Sequence, residues 1–106
     1  MDFRDIESFL GVDKNEAEEL GRLLADTLSS DLKKIRQSIR NNDVKAVCFV
    51  AHSMKGTTGN LGFSRFSNIA EIMETRARGG SLDDFPDLLL EMQTLLEELE
   101  GSLPGK

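Results

Sequence analysis

The sequence has no Trp or Tyr, two Pro and a single cysteine, Cys48. One cysteine cannot form an intramolecular disulfide, and it excludes a zinc site built on several thiolates. The longest apolar run, residues 46–51, is far too short to cross a bilayer, so no membrane partner is expected. Residues 1–5 lack the basic-then-apolar pattern of a secretion signal, which makes the cytoplasm the expected location.

Positive charge is also scarce, since 13 basic residues stand against 19 acidic ones and give a net charge of -6. A protein of that sign repels the phosphate backbone, so we expect no nucleic-acid partner. The length of 106 residues suits one domain, and 39% hydrophobic with 30% charged residues is typical of a folded protein. We therefore expect a single domain over residues 1–106 that exists as a monomer.

The composition favours helices, because Leu, Glu, Lys and Ala are frequent and strand-forming residues are sparse. A short helix is predicted at residues 3–10, a bundle at 14–100 and a flexible tail at 101–106. Hydrophobic residues at helical spacing divide the bundle into four helices. The connections are short, which predicts an all-α, antiparallel (up-down) four-helix bundle with the short N-terminal helix packed against it. The four helices are predicted from Lys14 to about Arg40, from Val44 to about Asn60, from the cap at Ser64 to Arg78, and from near Asp83 or Asp84 to about residue 100.

Local signals mark the ends of these helices. Asp13, Asp43 and Ser64 are each predicted to cap the helix that follows, and Gly62 is predicted to end the helix from Val44. The inward stripe of the helix from Lys14 is predicted to include Leu23.

The only histidine, His52, lies on the helix from Val44. On a helical wheel the buried stripe centres between Val47 and Met54, and His52 lies roughly 150° from that centre. The imidazole is therefore predicted to project into solvent from a rigid element. Lys55, at position i+3, can place its ammonium group near anything that the imidazole carries.

Two glycines follow on the same flank, although each costs a helix roughly 1 kcal/mol relative to alanine. Gly56 and Gly59 therefore suggest close approach by another protein's backbone. Packing inside the bundle is the alternative, and the wheel argues against it, more firmly for Gly56. Phe49 either packs under the N-terminal helix or joins Lys45 and Cys48 in a partner-binding patch. Cys48 also fits as a small apolar filler of the core.

This layout suits phosphoryl transfer. A neutral imidazole is a nucleophile near neutral pH, its attack on phosphorus gives a labile phosphohistidine, and Lys55 would offset the phosphoryl charge. The sequence has no glycine-rich phosphate loop for ATP, and no acidic residues at i±4 of His52 or acidic trio for a metal. We expect a phosphocarrier that is not an enzyme in its own right and has neither metal ligands nor cofactor. The phosphoryl donor and magnesium would come from a partner.

The chain resembles the histidine-containing phosphotransfer (HPt) family of multistep two-component signalling over nearly its whole length. The resemblance rests on Ala51-His52-x-Met54-Lys55-Gly56, then Leu61-Gly62, then Ala77-Arg78-Gly79. It implies that His52 is phosphorylated, that Lys55 assists, and that Gly56 gives clearance to a receiver domain. The receiver aspartate of a response regulator would exchange the phosphoryl group, and a histidine kinase or hybrid kinase would be the other partner. Thr57 and Thr58 stand where the family usually has Ser or Ala, which affects only local packing.

Two alternatives remain open at this point. The chain could be the phospho-accepting domain of a chemotaxis-type histidine kinase, or a helical interaction domain in which His52 is incidental. The initial Met and the short tail favour an independent protein or a separately cut domain. The reactive imidazole nitrogen depends on what the other nitrogen contacts.

Overall fold

The computed structural model describes residues 1–105, which form five α-helices and no strand. This confirms the predicted all-α class, and the helices that begin at Lys14 and Val44 have the predicted bounds. Within the described residues, no helix is long and apolar enough to span a membrane. The helices are α1 (Arg4–Leu10), α2 (Lys14–Arg40), α3 (Val44–Asn60), α4 (Ser64–Arg78) and α5 (Phe85–Ser102).

The four long helices form an antiparallel bundle of 42 × 24 × 18 Å. Helix α2 packs against α3 and α5, and α4 also packs against α3 and α5, so the order around the bundle is α2, α3, α4, α5. The groove between α3 and α4 therefore lies on the opposite side from the groove between α2 and α5. We call these sides the α3/α4 face and the α2/α5 face. Helix α1 packs on α2.

The core is a single apolar cluster to which every helix contributes. Burial of each large side chain stabilises the fold by about 1.5–3 kcal/mol relative to exposure, so the inward stripes dominate helix placement. The largest fully buried side chains are Ile6, Leu24, Leu28, Leu32, Ile35, Met54, Phe66, Met73, Phe85, Met92, Leu96 and Leu99.

The predicted caps of α2 and α3 are confirmed. The Asp13 carboxylate accepts the Glu16 amide at 2.8 Å, and the Asp43 carboxylate accepts the Ala46 amide at 3.1 Å. Each bond satisfies an amide that has no partner inside its helix. The cap predicted at Ser64 is wrong, because Ser64 is already the first residue of α4 and no side chain caps this end.

Gly62 ends the turn after α3, as predicted. Its φ of 86° lies in the left-handed region that glycine adopts at low cost. A Cβ atom at this position would also lie 2.5 Å from the Phe9 ring, which covers the turn. Both observations explain why a residue with a side chain does not fit here.

The exposure of Leu23 and the end of α5 differ from the prediction. Leu23 is 65% exposed rather than inward, because the buried side of α2 is centred on residues such as Leu24 and Leu28. The flexible tail predicted for 101–106 is wrong at its start, since α5 continues through Ser102. The Ser102 hydroxyl accepts the Phe3 amide at 3.0 Å, which ties this end of α5 to the N-terminal segment. Lys106 lies outside the described residues.

Candidate functional site

His52 lies in the middle of α3 with 67% of its side chain exposed. Its helix is held in the bundle by Ala51 and Met54, which are fully buried. The predicted projection of the imidazole into solvent is therefore confirmed. The ring is nevertheless anchored on one side.

The anchor is Glu74, which reaches His52 from α4 and is only 3% exposed. The Glu74 Oε2 atom lies 2.6 Å from His52 Nδ1 and accepts a hydrogen bond from Arg78 at 2.7 Å. The Glu74 Oε1 atom lies 2.8 Å from the Lys55 ammonium nitrogen. These four residues, His52, Lys55, Glu74 and Arg78, form one network that we call the Glu74 cluster.

The charge of Glu74 is stabilised by this network. The hydrogen bond from Lys55 is the largest cause that lowers the pKa of Glu74 from 4.5 to about 2, and His52 adds to it. Burial acts in the opposite direction but is outweighed. Glu74 is consequently a carboxylate at neutral pH, and a carboxylate can only accept hydrogen bonds.

That requirement assigns the tautomer of the imidazole. Because Glu74 only accepts, His52 Nδ1 must carry the proton of their hydrogen bond. A neutral imidazole has one N–H group, so Nε2 holds the free lone pair. In this neutral form the exposed side of the ring presents an unprotonated nitrogen, while the buried carboxylate fixes the orientation of the ring.

Lys55 and Arg78 bring two cations beside the imidazole. Both are held on Glu74, and their side chains remain 31% and 67% exposed. The backbone near Lys55 is also fixed, because the Ser67 hydroxyl of α4 donates to the Lys55 carbonyl at 2.9 Å. The Lys55 ammonium group and the His52 ring therefore contact the same carboxylate, that of Glu74. The role of Lys55 toward a phosphoryl group stays a prediction.

The two glycines of α3 have different surroundings. A Cβ atom added at Gly56 would meet nothing within 4 Å, so this position is open beside His52. A Cβ atom added at Gly59 would lie 3.2 Å from the Ser67 hydroxyl, which places Gly59 at the contact with α4. Close helix packing, which the helical wheel argued against, therefore accounts for Gly59. A partner-binding role for either glycine stays a prediction.

The predicted patch of Lys45, Cys48 and Phe49 lies next to the imidazole. These residues line one shallow depression together with His52, Glu74 and Arg78. Phe49 is 77% exposed, so the alternative that it packs under the N-terminal helix is wrong. Cys48 is half-buried, with its sulfur 3.8 Å from the Glu74 carbonyl oxygen. An exposed aromatic ring one helical turn from an exposed histidine is a feature of binding surfaces.

A model of the Hpt domain matches residues 14–102, which is most of the chain. The chain belongs to the Hpt domain family. The crystal structure of histidine-containing phosphotransfer protein B from Pseudomonas aeruginosa PAO1 superposes on it with a TM-score of 0.79. The two are 24% identical, and the match covers 91% of this chain and 84% of the other, so it supports the fold. A search of curated protein sequences finds no match.

Membership gives this chain a histidine phosphotransfer role in a phosphorelay. Hpt domains work with kinases and receivers in two-component systems, and they are phosphocarriers rather than classical enzymes. Within residues 1–105 no group of three or more His, Cys, Asp and Glu side chains is arranged to hold a metal ion.

Sequence reasoning missed Glu74 as a site residue of this Hpt domain. It considered acidic neighbours only along the helix of His52, whereas this carboxylate comes from α4, 22 residues away. One signal was present: Glu74 occupies the buried stripe of α4, four residues after Ala70 and three before Ala77. A charged residue at such a position needs a partner, because an unpaired buried charge is costly. Arg78 belongs to the Ala77-Arg78-Gly79 motif, and its contact with Glu74 becomes visible only in the structure.

Proposed function

We propose that this Hpt domain carries a phosphoryl group on Nε2 of His52 and exchanges it with the aspartate of a receiver domain. The observation that supports this most is the 2.6 Å contact between His52 Nδ1 and the buried Glu74 carboxylate. It occupies one nitrogen and leaves the other free of contacts with Glu74 on an exposed ring. No other imidazole exists in the chain.

In the transfer step the Nε2 lone pair attacks the phosphorus of an aspartyl phosphate. A nitrogen–phosphorus bond forms, the phosphorus–oxygen bond to the aspartate breaks, and the aspartate leaves as a carboxylate. The imidazole keeps its proton on Nδ1 and becomes positively charged, so the adjacent Glu74 carboxylate stabilises it. The reverse step returns the phosphoryl group to an aspartate. Glu74 holds and orients the ring and does not need to take the proton.

Two cations are held on Glu74, the carboxylate that contacts the imidazole. Lys55 and Arg78 both contact Glu74 in the unphosphorylated protein. A phosphoryl group carries about -1.5 to -2 charges at neutral pH and would compete with Glu74 for these donors. We propose that Lys55 stabilises the phosphoryl group, with Arg78 as a second donor from α4.

The receiver would dock on the α3/α4 face around His52. Phe49 supplies exposed apolar area, Gly56 leaves a gap beside the ring, and Lys45 and Arg78 add positive charge near an acidic phosphorylation pocket. Magnesium would be bound by the receiver, and no ATP site is required on this chain. The chain acts in this scheme as a positioned nucleophile.

The proposal is tested by incubating the protein with a panel of receiver domains carrying radiolabelled aspartyl phosphate. We expect label on the wild-type protein that is labile to acid, and none on His52→Gln. The variant should keep its helical circular dichroism, because the replaced side chain is mostly exposed. Lys14→Gln, a change of an exposed residue at the start of α2, is the control and should label normally.

Label that survives His52→Gln would refute the proposal. A parallel incubation with kinase catalytic domains and ATP, without a receiver, distinguishes a phosphorelay Hpt domain from the phospho-accepting domain of a histidine kinase. Labelling only in that second reaction would identify a kinase substrate domain instead. Absence of label in both reactions would favour an interaction domain in which His52 is incidental.

A further inference from the structure

The α2/α5 face carries a second groove, far from His52. Leu90, one of its lining residues, is 66% exposed and lies away from the docking surface proposed around His52. An exposed leucine between half-buried apolar side chains and arginines is typical of a binding surface rather than of a solvated helix face. The groove is lined by Arg36, Ile39, Arg40, Pro86, Leu89 and Leu90.

The α2 wall of this groove is basic, whereas the α5 wall carries the exposed carboxylates of Asp87 and Glu91 next to Pro86 and Leu90. Residues 32–42 contain four basic residues and no acidic one, so the remainder of the chain carries a formal charge of -10. In the described part of the chain, none of these four cations, Lys33, Lys34, Arg36 and Arg40, forms an ion pair with a carboxylate. Arg36 instead donates to the neutral Gln93 amide at 3.0 Å. Arg36 and Arg40, the two of these cations that line the groove, are therefore available to a partner.

We infer that the α2/α5 face docks an acidic amphipathic helix of a second protein. Its apolar side would lie on Leu89 and Leu90 between the two helices, and its carboxylates would pair with Arg36 and Arg40. A groove between two helices is the usual receptor for such a helix. Because this face is opposite to the α3/α4 face, a partner bound here would leave His52 accessible.

Other occupants fit the observations less well. A symmetric contact of this groove with that of a second copy would bring Arg36 and Arg40 of both chains into one interface, which is unfavourable. A nucleic acid would be repelled by the surrounding charge of -10 and would gain little from Leu90. An acidic helix matches both the apolar and the charged part of the groove.

The test is a nuclear magnetic resonance titration of the full chain with a synthetic helical peptide of about 18 residues, with Leu on one side and Glu on the other. A matched peptide with Lys in place of Glu is the control ligand. We expect saturable shifts confined to the second half of α2 and the first half of α5 with the Glu peptide only. The affinity should fall as salt is raised, because exposed charges are screened.

Matched variants locate the site. Leu90→Ser should weaken binding of the Glu peptide by about tenfold or more. The double variant Arg36→Glu with Arg40→Glu should have an effect of the same size. Leu23→Ser changes a leucine of equal exposure, 65% against 66%, and should bind normally. Lys14→Glu reverses a cation outside the groove and should also bind normally.

Several results would overturn the inference. They are the absence of saturable binding, shifts on the α3/α4 face, or equal loss of affinity in Leu23→Ser. A dimer in sedimentation that Leu90→Ser disperses would assign the groove to a second copy. Tighter binding of a DNA or RNA oligonucleotide than of the Glu peptide would assign it to nucleic acid. Leu90→Ser should still be labelled normally by a phosphorylated receiver. Failure of this inference can therefore be distinguished from failure of the role proposed for His52.

Discussion

Replacing Glu74 by glutamine removes one buried negative charge and nearly preserves the shape of the side chain. In the wild-type protein the pKa of Glu74 is held at about 2 instead of 4.5, chiefly by the Lys55 hydrogen bond. That difference corresponds to about 3 kcal/mol of stabilisation at neutral pH. Lys55 and Arg78 are partly exposed, so screening by water should reduce the measurable part to about 1 to 2 kcal/mol.

The sign of the pH dependence follows from the lowered pKa. Below pH 4.5 the unfolded chain binds a proton at Glu74 that the folded chain does not, so the stabilisation is lost as the pH falls toward 2. Glutamine cannot titrate, and Glu74→Gln should lack this part of the acid destabilisation. The other carboxylates with lowered pKa, Asp2 and Glu98, are present in both proteins and cancel in the difference.

The assay is urea unfolding, followed by circular dichroism, at several values between about pH 6 and about pH 3. Over this range the free energy of unfolding of the wild-type protein should fall by about 1 kcal/mol more than that of Glu74→Gln, since the rest of the difference is lost only below about pH 3. Glu71→Gln changes an exposed residue of the same helix and should follow the wild-type curve. Parallel curves for the wild-type protein and Glu74→Gln would refute the reasoning that the buried carboxylate is held ionised by its neighbours.

Three further predictions concern docking and capping. Gly56→Glu should block labelling from a phosphorylated receiver, whereas Gly101→Glu, at another open helical glycine, should not; equal labelling of both would remove Gly56 from the docking surface. Phe49→Ser should weaken receiver binding in calorimetry by about tenfold without lowering the melting temperature, because the ring is 77% exposed; unchanged affinity would contradict its docking role. Asp43→Ala should lower the free energy of urea unfolding by about 1 kcal/mol through loss of the α3 cap, and no change would show that the cap contributes nothing.

Most of the fold was predictable because its signals are local. The bounds of α3 follow from Asp43 before it and Gly62 after it, and the apolar periodicity marks the inward side of each helix. Leu23 was predicted wrongly because the width of the covered stripe depends on which helices pack beside α2. The end of α5 was missed for a similar reason, since its partner Phe3 lies 99 residues away.

The site was predictable only as far as one helix determines it. The exposure of His52 depends on the periodicity of α3 alone. Its bond to Glu74 depends on how α3 and α4 align, which no pattern within either helix specifies. Phe49 is uncovered because α1 packs on α2 instead, and this choice of neighbour also lies beyond helical periodicity.

The atom that carries the phosphoryl group is the most direct point to measure. A nitrogen-15-labelled sample, phosphorylated by a receiver, gives separate signals for the two imidazole nitrogens and their coupling to phosphorus. The account predicts phosphorus on Nε2 of His52, with Nδ1 still protonated and bonded to Glu74. Phosphorus on Nδ1, or on any other residue, would contradict it.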